Sequence, residues 1–561
     1  MANTRGVVAL FMLLLLMATA CAPDIDPELT LLPEETVPTT APVDAGDVPL
    51  VTSTTTSSTT VVPATTTPGR VGSPRLVTTD LGEVVGRRDD GVVSFLAVPY
   101  AAPPTGPRRF KPPEPATPWE ERLTARTAGS SCPQLDSGIA TQFFPAPPHD
   151  EDCLTLDVYA PLRGDSLPVM VWFHGGGFIE GSGHTAVYDG SNLARKDVVV
   201  VNINYRLGAL GFLVTDETVR DAGAAPFGNL GLQDQIAALE WVQRNITQFG
   251  GDASNVTIFG QSAGAFSVCA HLAADASSGL FHRAIMQSGG GCDRFQTIDE
   301  AVGMADEWIA QTRCANARNV TDCLTLLSVQ QILDASETAA VDFGVIADGA
   351  LLDRTAFSLA RTDELGAVPL LLGSNLDEGT LFTFGQDEPS DSEFRDELLA
   401  SLGSEQEADL LLSQYEIIED NATKLATFFT DSRFACPAVR FANEAFDDTT
   451  VYTYEFVHRS VDTPFGLGAT HGAEVVYLFG NPQSVVGVPE VFNEVDAGVA
   501  DFIQTAWASF ARTGSPISDP AIDWPQYVDS APAHLLIGAE PEVASLIRDG
   551  RCAIFDAAQQ N

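Results

Sequence analysis

The stretch Val256-Thr-Ile-Phe-Gly-Gln-Ser-Ala-Gly-Ala265 constrains this chain more than any other. An apolar, β-branched run passes straight into Gly-x-Ser-x-Gly, and Ala265–Ala274 can form a helix behind it. A strand needs neither glycine, and a helix start needs only one. A serine held on a tight turn between the two, with its hydroxyl pushed outward, needs both. The missing side chains let the turn close and let a second molecule approach. The chain contains no other Gly-x-Ser-x-Gly.

The surrounding pattern is that of an α/β protein. Pro168-Val-Met-Val-Trp-Phe173 and Asp197-Val-Val-Val-Val-Asn-Ile203 read as buried strands, as do Val256–Phe259, Ala284–Gln287, Pro369–Leu372 and Val451–Val457. Leu232, Ile236, Leu239, Val242 and Ile246 follow helical spacing, and Gly250-Gly251 is expected to end that helix. Strands separated by helices predict a central, mostly parallel sheet with helices on both faces. Ligands of such sheets sit beyond the carboxyl ends of the strands.

The 561 residues carry 75 acidic and 30 basic side chains, and Lys111, Lys196 and Lys424 are the only lysines. A net charge of −45 excludes a nucleic-acid partner, because phosphate binding needs basic patches. Residues 1–21 read as a signal peptide: Arg5 precedes an apolar run from Val7 to Ala20, which ends Ala18-Thr-Ala-Cys21. Small residues followed by cysteine resemble a bacterial lipoprotein cleavage box, which makes Cys21 a lipidation candidate and the protein exported. Ala18 stands where such boxes usually carry leucine. Residues 22–74 are rich in Thr, Ser and Pro and are expected to form an extended tether. Residues 75–561 are expected to form one catalytic domain. Removing Cys21 from the nine cysteines leaves eight, an even number suited to disulfides in an exported protein.

A serine hydroxyl is a weak nucleophile until a base takes its proton, and the carbonyl oxygen it attacks needs donors as charge builds there. His174-Gly-Gly-Gly-Phe178 follows a predicted strand and offers backbone N–H groups without side chains. Those of Gly176 and Gly177, with that of Ala263, are the expected oxyanion hole. Of the eight histidines, His458, His471 and His534 lie beyond the acid candidates. His458 closes a strand, His534 runs into Leu-Leu-Ile, and His471 occupies the loop Gly468-Ala-Thr-His-Gly472, which favours His471 as the base. Asp348, Asp377 and Glu378 are candidate acids that the residues alone do not separate. No metal or organic cofactor is implied.

These blocks resemble the type-B carboxylesterase/lipase family, the α/β-hydrolases that include cholinesterases. The likeness runs over residues 76–553: Phe95–Pro104, Arg109-Phe110, Trp119, Glu151–Tyr159, His174–Phe178, Asn204-Tyr-Arg206, Gly228–Asp234, Phe249–Gly264, Asp377-Glu-Gly379, His471-Gly-Ala-Glu474, and Trp507 through Trp524-Pro525. The resemblance implies an α/β-hydrolase fold and a serine hydrolase that cleaves carboxylic esters through an acyl-enzyme. It places the acid at Glu378, giving Ser262, Glu378 and His471. It also implies the bridges Cys132–Cys153, Cys314–Cys323 and Cys436–Cys552. Cys269 and Cys292 are left as free thiols or a further bridge, with Cys269 most simply a buried core residue. Gln261 stands where the family usually has Glu, and Phe143 aligns with a cholinesterase tryptophan. Both departures argue against choline esters. The alternatives are another serine acyl hydrolase, such as an amidase, or a catalytically silent surface binding protein of the same fold. The expected partner is a small-molecule or lipid-like ester.

Overall fold

The computed structural model describes residues 75–135, 142–222, 227–461, 466–516, 524–545 and 548–560. The signal peptide, Cys21 and the tether lie outside the described residues. Among the described residues, eleven strands form one sheet. They are β1 (Arg87–Asp89), β2 (Val92–Pro99), β3 (Thr155–Pro161), β4 (Leu167–Phe173), β5 (Val199–Ile203), β6 (Gly251–Gln261), β7 (Arg283–Gln287), β8 (Leu370–Asn375), β9 (Val451–Phe456), β10 (Ala533–Ile537) and β11 (Glu542–Ser545). Their spatial order is β11-β10-β9-β8-β7-β6-β4-β5-β3-β2-β1. From β10 across to β5 the pairings are parallel, and antiparallel strands flank both sides.

The predicted strand and helix types recur, with shifted ends. The helix α1 (Leu230–Asn245) stops before Gly250, a short 3₁₀ turn fills Ile246–Phe249, and Gly251 already belongs to β6. Gly250 takes φ +94°, a conformation that closes the helix and turns the chain into the strand. The helix after the serine, α2 (Ala263–Ala273), starts two residues earlier than composition suggested, because the elbow glycine Gly264 lies inside its first turn.

Strand β4 shows how the sheet is held. Successive side chains point to opposite faces. Val169, Val171 and Phe173 enter one apolar cluster together with Leu232, Leu239 and Val242 of α1. Met170 and Trp172 enter the other. There they meet Val499, Ile503, Trp507 and Phe510 of a later helix, Glu494–Thr513. Each such buried side chain contributes about 1.5–3 kcal/mol. A buried bidentate ion pair ties the loop after β5 to α1: Arg206 Nε and Nη2 each donate to Asp234 at 2.7 Å. Desolvation raises the Asp234 carboxyl above its usual range, even beside the guanidinium.

The sheet order places the site. The chain leaves β4, forms β5 on one side of it, and returns as β6 on the other. The crevice between the carboxyl ends of β4 and β6 is therefore a topological switch point. Phe173, the last residue of β4, pairs with Gly260 near the end of β6. The His174–Phe178 loop and Ser262 leave the sheet side by side.

Candidate active site

Ser262 sits between β6 and α2 with φ +55° and ψ −126°, a strained conformation for a residue bearing a Cβ. Both glycines of the motif are required by contact. A Cβ on Gly260 would lie 2.5 Å from the carbonyl of Gly264, and one on Gly264 would lie 1.9 Å from the carbonyl oxygen of Phe173. The turn thus presses the first turn of α2 against the end of β4. The Ser262 N–H donates to Gln287 O at 2.9 Å, which ties the elbow to β7.

The glycine loop folds next to it. Gly176 has φ +110° and Gly177 φ +61°. A Cβ on Gly176 would strike the carbonyl of Glu180 at 2.2 Å, and the Gly176 carbonyl itself accepts from the N–H groups of Ile179 and Glu180. Among the described residues, the N–H groups of Gly176, Gly177 and Ala263 have no acceptor; Ala263 opens α2 and has no intrahelical partner. His174 anchors the loop. Its ring stacks on Tyr205 at 4.3 Å, its Nδ1–H donates to Gly175 O at 2.8 Å, and the Tyr205 hydroxyl donates to His174 O at 2.7 Å. Burial lowers the His174 pKa to about 4, so this ring is a neutral strut.

The structure separates the three acid candidates. Asp348 accepts from the N–H groups of Ala350, Leu351 and Leu352 and serves its own turn. Asp377 takes the Arg459 guanidinium and the Ala469 N–H. Glu378 alone meets the histidine: its Oε2 accepts from His471 Nδ1 at 2.6 Å, while Oε1 accepts from the Asn375 N–H at 2.7 Å. Glu378 is fully buried. The glycine after it lets the acid loop approach the helix Asn421–Thr430, since a Cβ on Gly379 would fall 1.9 Å from Ala426 O. Of the other histidines, His458 pairs with Asp496 at 2.6 Å, and His534 is buried in β10.

Four further residues, Glu474, Phe382, Phe434 and Gln261, complete the surroundings. Glu474 is fully buried and shares Asn375 with Glu378, accepting from Asn375 Nδ2 at 2.6 Å and Gln287 Nε2 at 3.0 Å. Desolvation, with the Glu378 charge adding to it, pushes its carboxyl up to about 7. The signal was its place three residues after His471, but spacing does not reveal burial. Phe382 and Phe434 flank the His471 ring at centroid distances of 5.0 and 4.7 Å. Phe434 rides on a π-type turn, Asp431–Ala435, that periodicity does not announce. Gln261 Nε2 lies 3.1 Å from His471 Nε2.

The three implied bridges are formed, and the two remaining cysteines are joined as well: Cys269, on α2, is bridged to Cys292 after β7. Cys269 is buried as expected, but as half of a disulfide.

A carboxylate, an imidazole and a strained serine at one crevice, beside unpaired N–H groups, form a constellation suited to acyl transfer. Comparison with known proteins agrees. Residues 73–555 match the model of the carboxylesterase family. The para-nitrobenzyl esterase of Bacillus subtilis is 35% identical over 479 residues, spanning 83% of this chain and 95% of that protein. The cocaine esterase of Oryctolagus cuniculus is 34% identical over 499 residues, spanning 82% and 91%. The acetylcholinesterase of Bungarus fasciatus is 34% identical over 522 residues, spanning 84% of each. Among solved structures, a thermophilic PNB esterase superposes with a TM-score of 0.77 at 33% identity, covering 86% of this chain and 99% of that one.

Proposed function

Because the chain belongs to the carboxylesterase family and is a serine hydrolase of carboxylic esters, we propose that Ser262 is its nucleophile, His471 its general base and Glu378 the acid that orients the base. The observation that carries this assignment is the 2.6 Å contact from His471 Nδ1 to buried Glu378, in the loop beside the strained Ser262 elbow. Ser262 Oγ attacks the ester carbonyl carbon as its proton passes to His471 Nε2. The carbonyl oxygen becomes an oxyanion held by the N–H groups of Gly176, Gly177 and Ala263. His471 returns the proton to the departing alkoxide, the alcohol leaves, and the acyl group stays on Ser262. Water then attacks the acyl carbon, giving its proton to His471. The carboxylic acid leaves as Ser262 is reprotonated.

The substrates are uncharged alkyl or aryl esters. Neutral Gln261 and the rings of Phe382 and Phe434 around His471 support an apolar ester rather than a cationic one. The protein is exported and held at the cell surface by lipidated Cys21 through the tether. Four disulfides in the described residues support an oxidising compartment.

The test is p-nitrophenyl release from acetate, butyrate, octanoate and palmitate esters by residues 75–561 and by Ser262→Ala, with matched anilides alongside. Ester turnover abolished in the variant, with anilides cleaved poorly, is expected. Serine-independent turnover, or no turnover from folded protein, refutes the assignment; faster anilide cleavage makes the enzyme an amidase. Labelling with a fatty-acid analogue in a lipoprotein-processing host, lost in Cys21→Ala, tests the anchor.

A further inference from the structure

The nitrogen of His471 that must receive the serine proton is already engaged. Gln261 Nε2–H donates to His471 Nε2 at 3.1 Å, and among the described residues the Ser262 hydroxyl has no hydrogen-bond partner. We propose that Gln261 is a positioning residue: its amide holds His471 with Nε2 as an acceptor, and its lack of charge sets the acidic edge of the enzyme's working range. The proposal rests on the catalytic reading above.

The amide is held in place by the fold. Gln261 closes β6, pairs in register with Gln287 of β7, and is 6% exposed. Its side chain lies between two glycines. A Cβ on Gly175 would sit 2.8 Å from Gln261 Oε1, and one on Gly472 would sit 3.7 Å from Nε2. The oxyanion loop thus leaves room for this side chain, and the histidine loop packs against it at ordinary contact distance. Its position bridges the two halves of the site.

The chemistry follows from donor and acceptor types. Glu378 accepts from Nδ1, which places the ring proton there and leaves a lone pair on Nε2. An amide N–H suits that lone pair. An imidazolium presents N–H at Nε2 instead, so the amide must then turn its oxygen to the ring. Gln can serve both states by this rotation, whereas a carboxylate can only accept and therefore favours the charged ring. The groups facing His471 make the difference count. Glu378 is bonded to its Nδ1, and Glu474 lies within electrostatic reach from the adjoining helix Ala473–Phe479. Phe382 and Phe434 pack on it as uncharged rings. Asp377, in the neighbouring loop, is turned onto Arg459. From β6, among the described residues, the ring meets the neutral amide of Gln261. A carboxylate at position 261 would add a negative charge at the end of the ring that must stay unprotonated to act as base.

The experiment compares kcat/KM against pH for wild type, Gln261→Glu and Gln261→Ala on p-nitrophenyl butyrate, with Ser262→Ala in parallel. In Gln261→Glu the acidic limb is expected to move to higher pH by about 1 unit or more, the usual effect of an opposite charge at hydrogen-bond range. In Gln261→Ala the limb is expected to stay while kcat on the plateau falls about 3- to 10-fold, as the ring loses its tether. A readout independent of turnover is the ¹⁵N titration of His471 in Ser262→Ala with and without Gln261→Glu, in which the added carboxylate delays deprotonation to higher pH. An unmoved limb and unmoved titration in Gln261→Glu overturn the proposal, as does full plateau activity in Gln261→Ala. Residual turnover in Ser262→Ala instead overturns the catalytic reading beneath it.

Discussion

Replacing Gly264 by alanine tests the elbow by geometry alone. The new Cβ would lie 1.9 Å from Phe173 O, 2.7 Å from Phe173 C and 2.9 Å from His174 O. All three are backbone atoms of β4 and the loop that follows, so no rotamer change relieves the overlap. Real Cβ contacts essentially never fall below 3.0 Å, so α2 and β4 must part by about 1.1 Å. Overpacking of a tight core costs about 1–3 kcal/mol, and a clash between two backbone segments belongs at or above the upper end. The same displacement carries Ser262 away from the Gly176–Gly177 loop, and a shift of about 1 Å in a reacting group costs roughly 10²-fold in rate. Gly264→Ala is therefore expected to lose about 3 kcal/mol in denaturant unfolding and about 100-fold in kcat on p-nitrophenyl butyrate. Gly303→Ala is the control. Gly303 lies within the helix Ile298–Ile309 with nothing within 4 Å of its added Cβ. It is expected to gain about 0.5–1 kcal/mol with kcat unchanged. Wild-type stability and rate in Gly264→Ala would refute the claim that this contact holds the serine.

Glu378→Gln preserves shape but leaves His471 Nδ1 without a charged acceptor; kcat is expected to fall by about 10³–10⁴-fold with KM little changed, as steady-state kinetics would show. Thiol titration of denatured, unreduced residues 75–561 is expected to find no free cysteine, and two free thiols per chain would contradict the Cys269–Cys292 bridge. Glu474 contributes a stability that falls with rising pH. Its carboxyl moves from an ordinary 4.5 to about 7 in the folded state, so the native protein binds the extra proton, and that contribution is complete below about 4.5 and lost through about 7. The difference is on the order of 3 kcal/mol. Melting temperatures from pH 4 to 8 are expected to decline less steeply in Glu474→Gln than in wild type, and parallel profiles would count against a buried, protonated Glu474.

How much of this is legible in the residue order depends on the range of the forces involved. The β4 run is legible because Val169, Val171 and Phe173 alternate with Met170 and Trp172, and both sets are apolar only if both faces are covered. The elbow is legible because only glycine fits at positions 260 and 264. The acid is not. Asp377 and Glu378 are adjacent, equally charged and in the same loop, and what separates them is Arg459 arriving from 82 residues away to claim the first. The Cys269–Cys292 bridge depends on α2 packing beside the turn after β7, which no spacing records. The contact between Gln261 and His471 spans 210 residues. The sequence marks Gln261 as unusual in its motif but is silent on its partner. Phe434 reaches the site through a π-type turn, a local departure from helical period that a pattern of 3.6 cannot anticipate.

The most direct test of the central claim is covalent. A fluorophosphonate ester should phosphonylate Ser262 Oγ with loss of fluoride. Intact-mass and peptide analysis of residues 75–561 should then show one adduct per chain, on the peptide bearing Gly260-Gln-Ser-Ala-Gly264, with esterase activity falling in proportion to labelling. An adduct on any other residue, or turnover that survives full labelling of Ser262, would contradict the account.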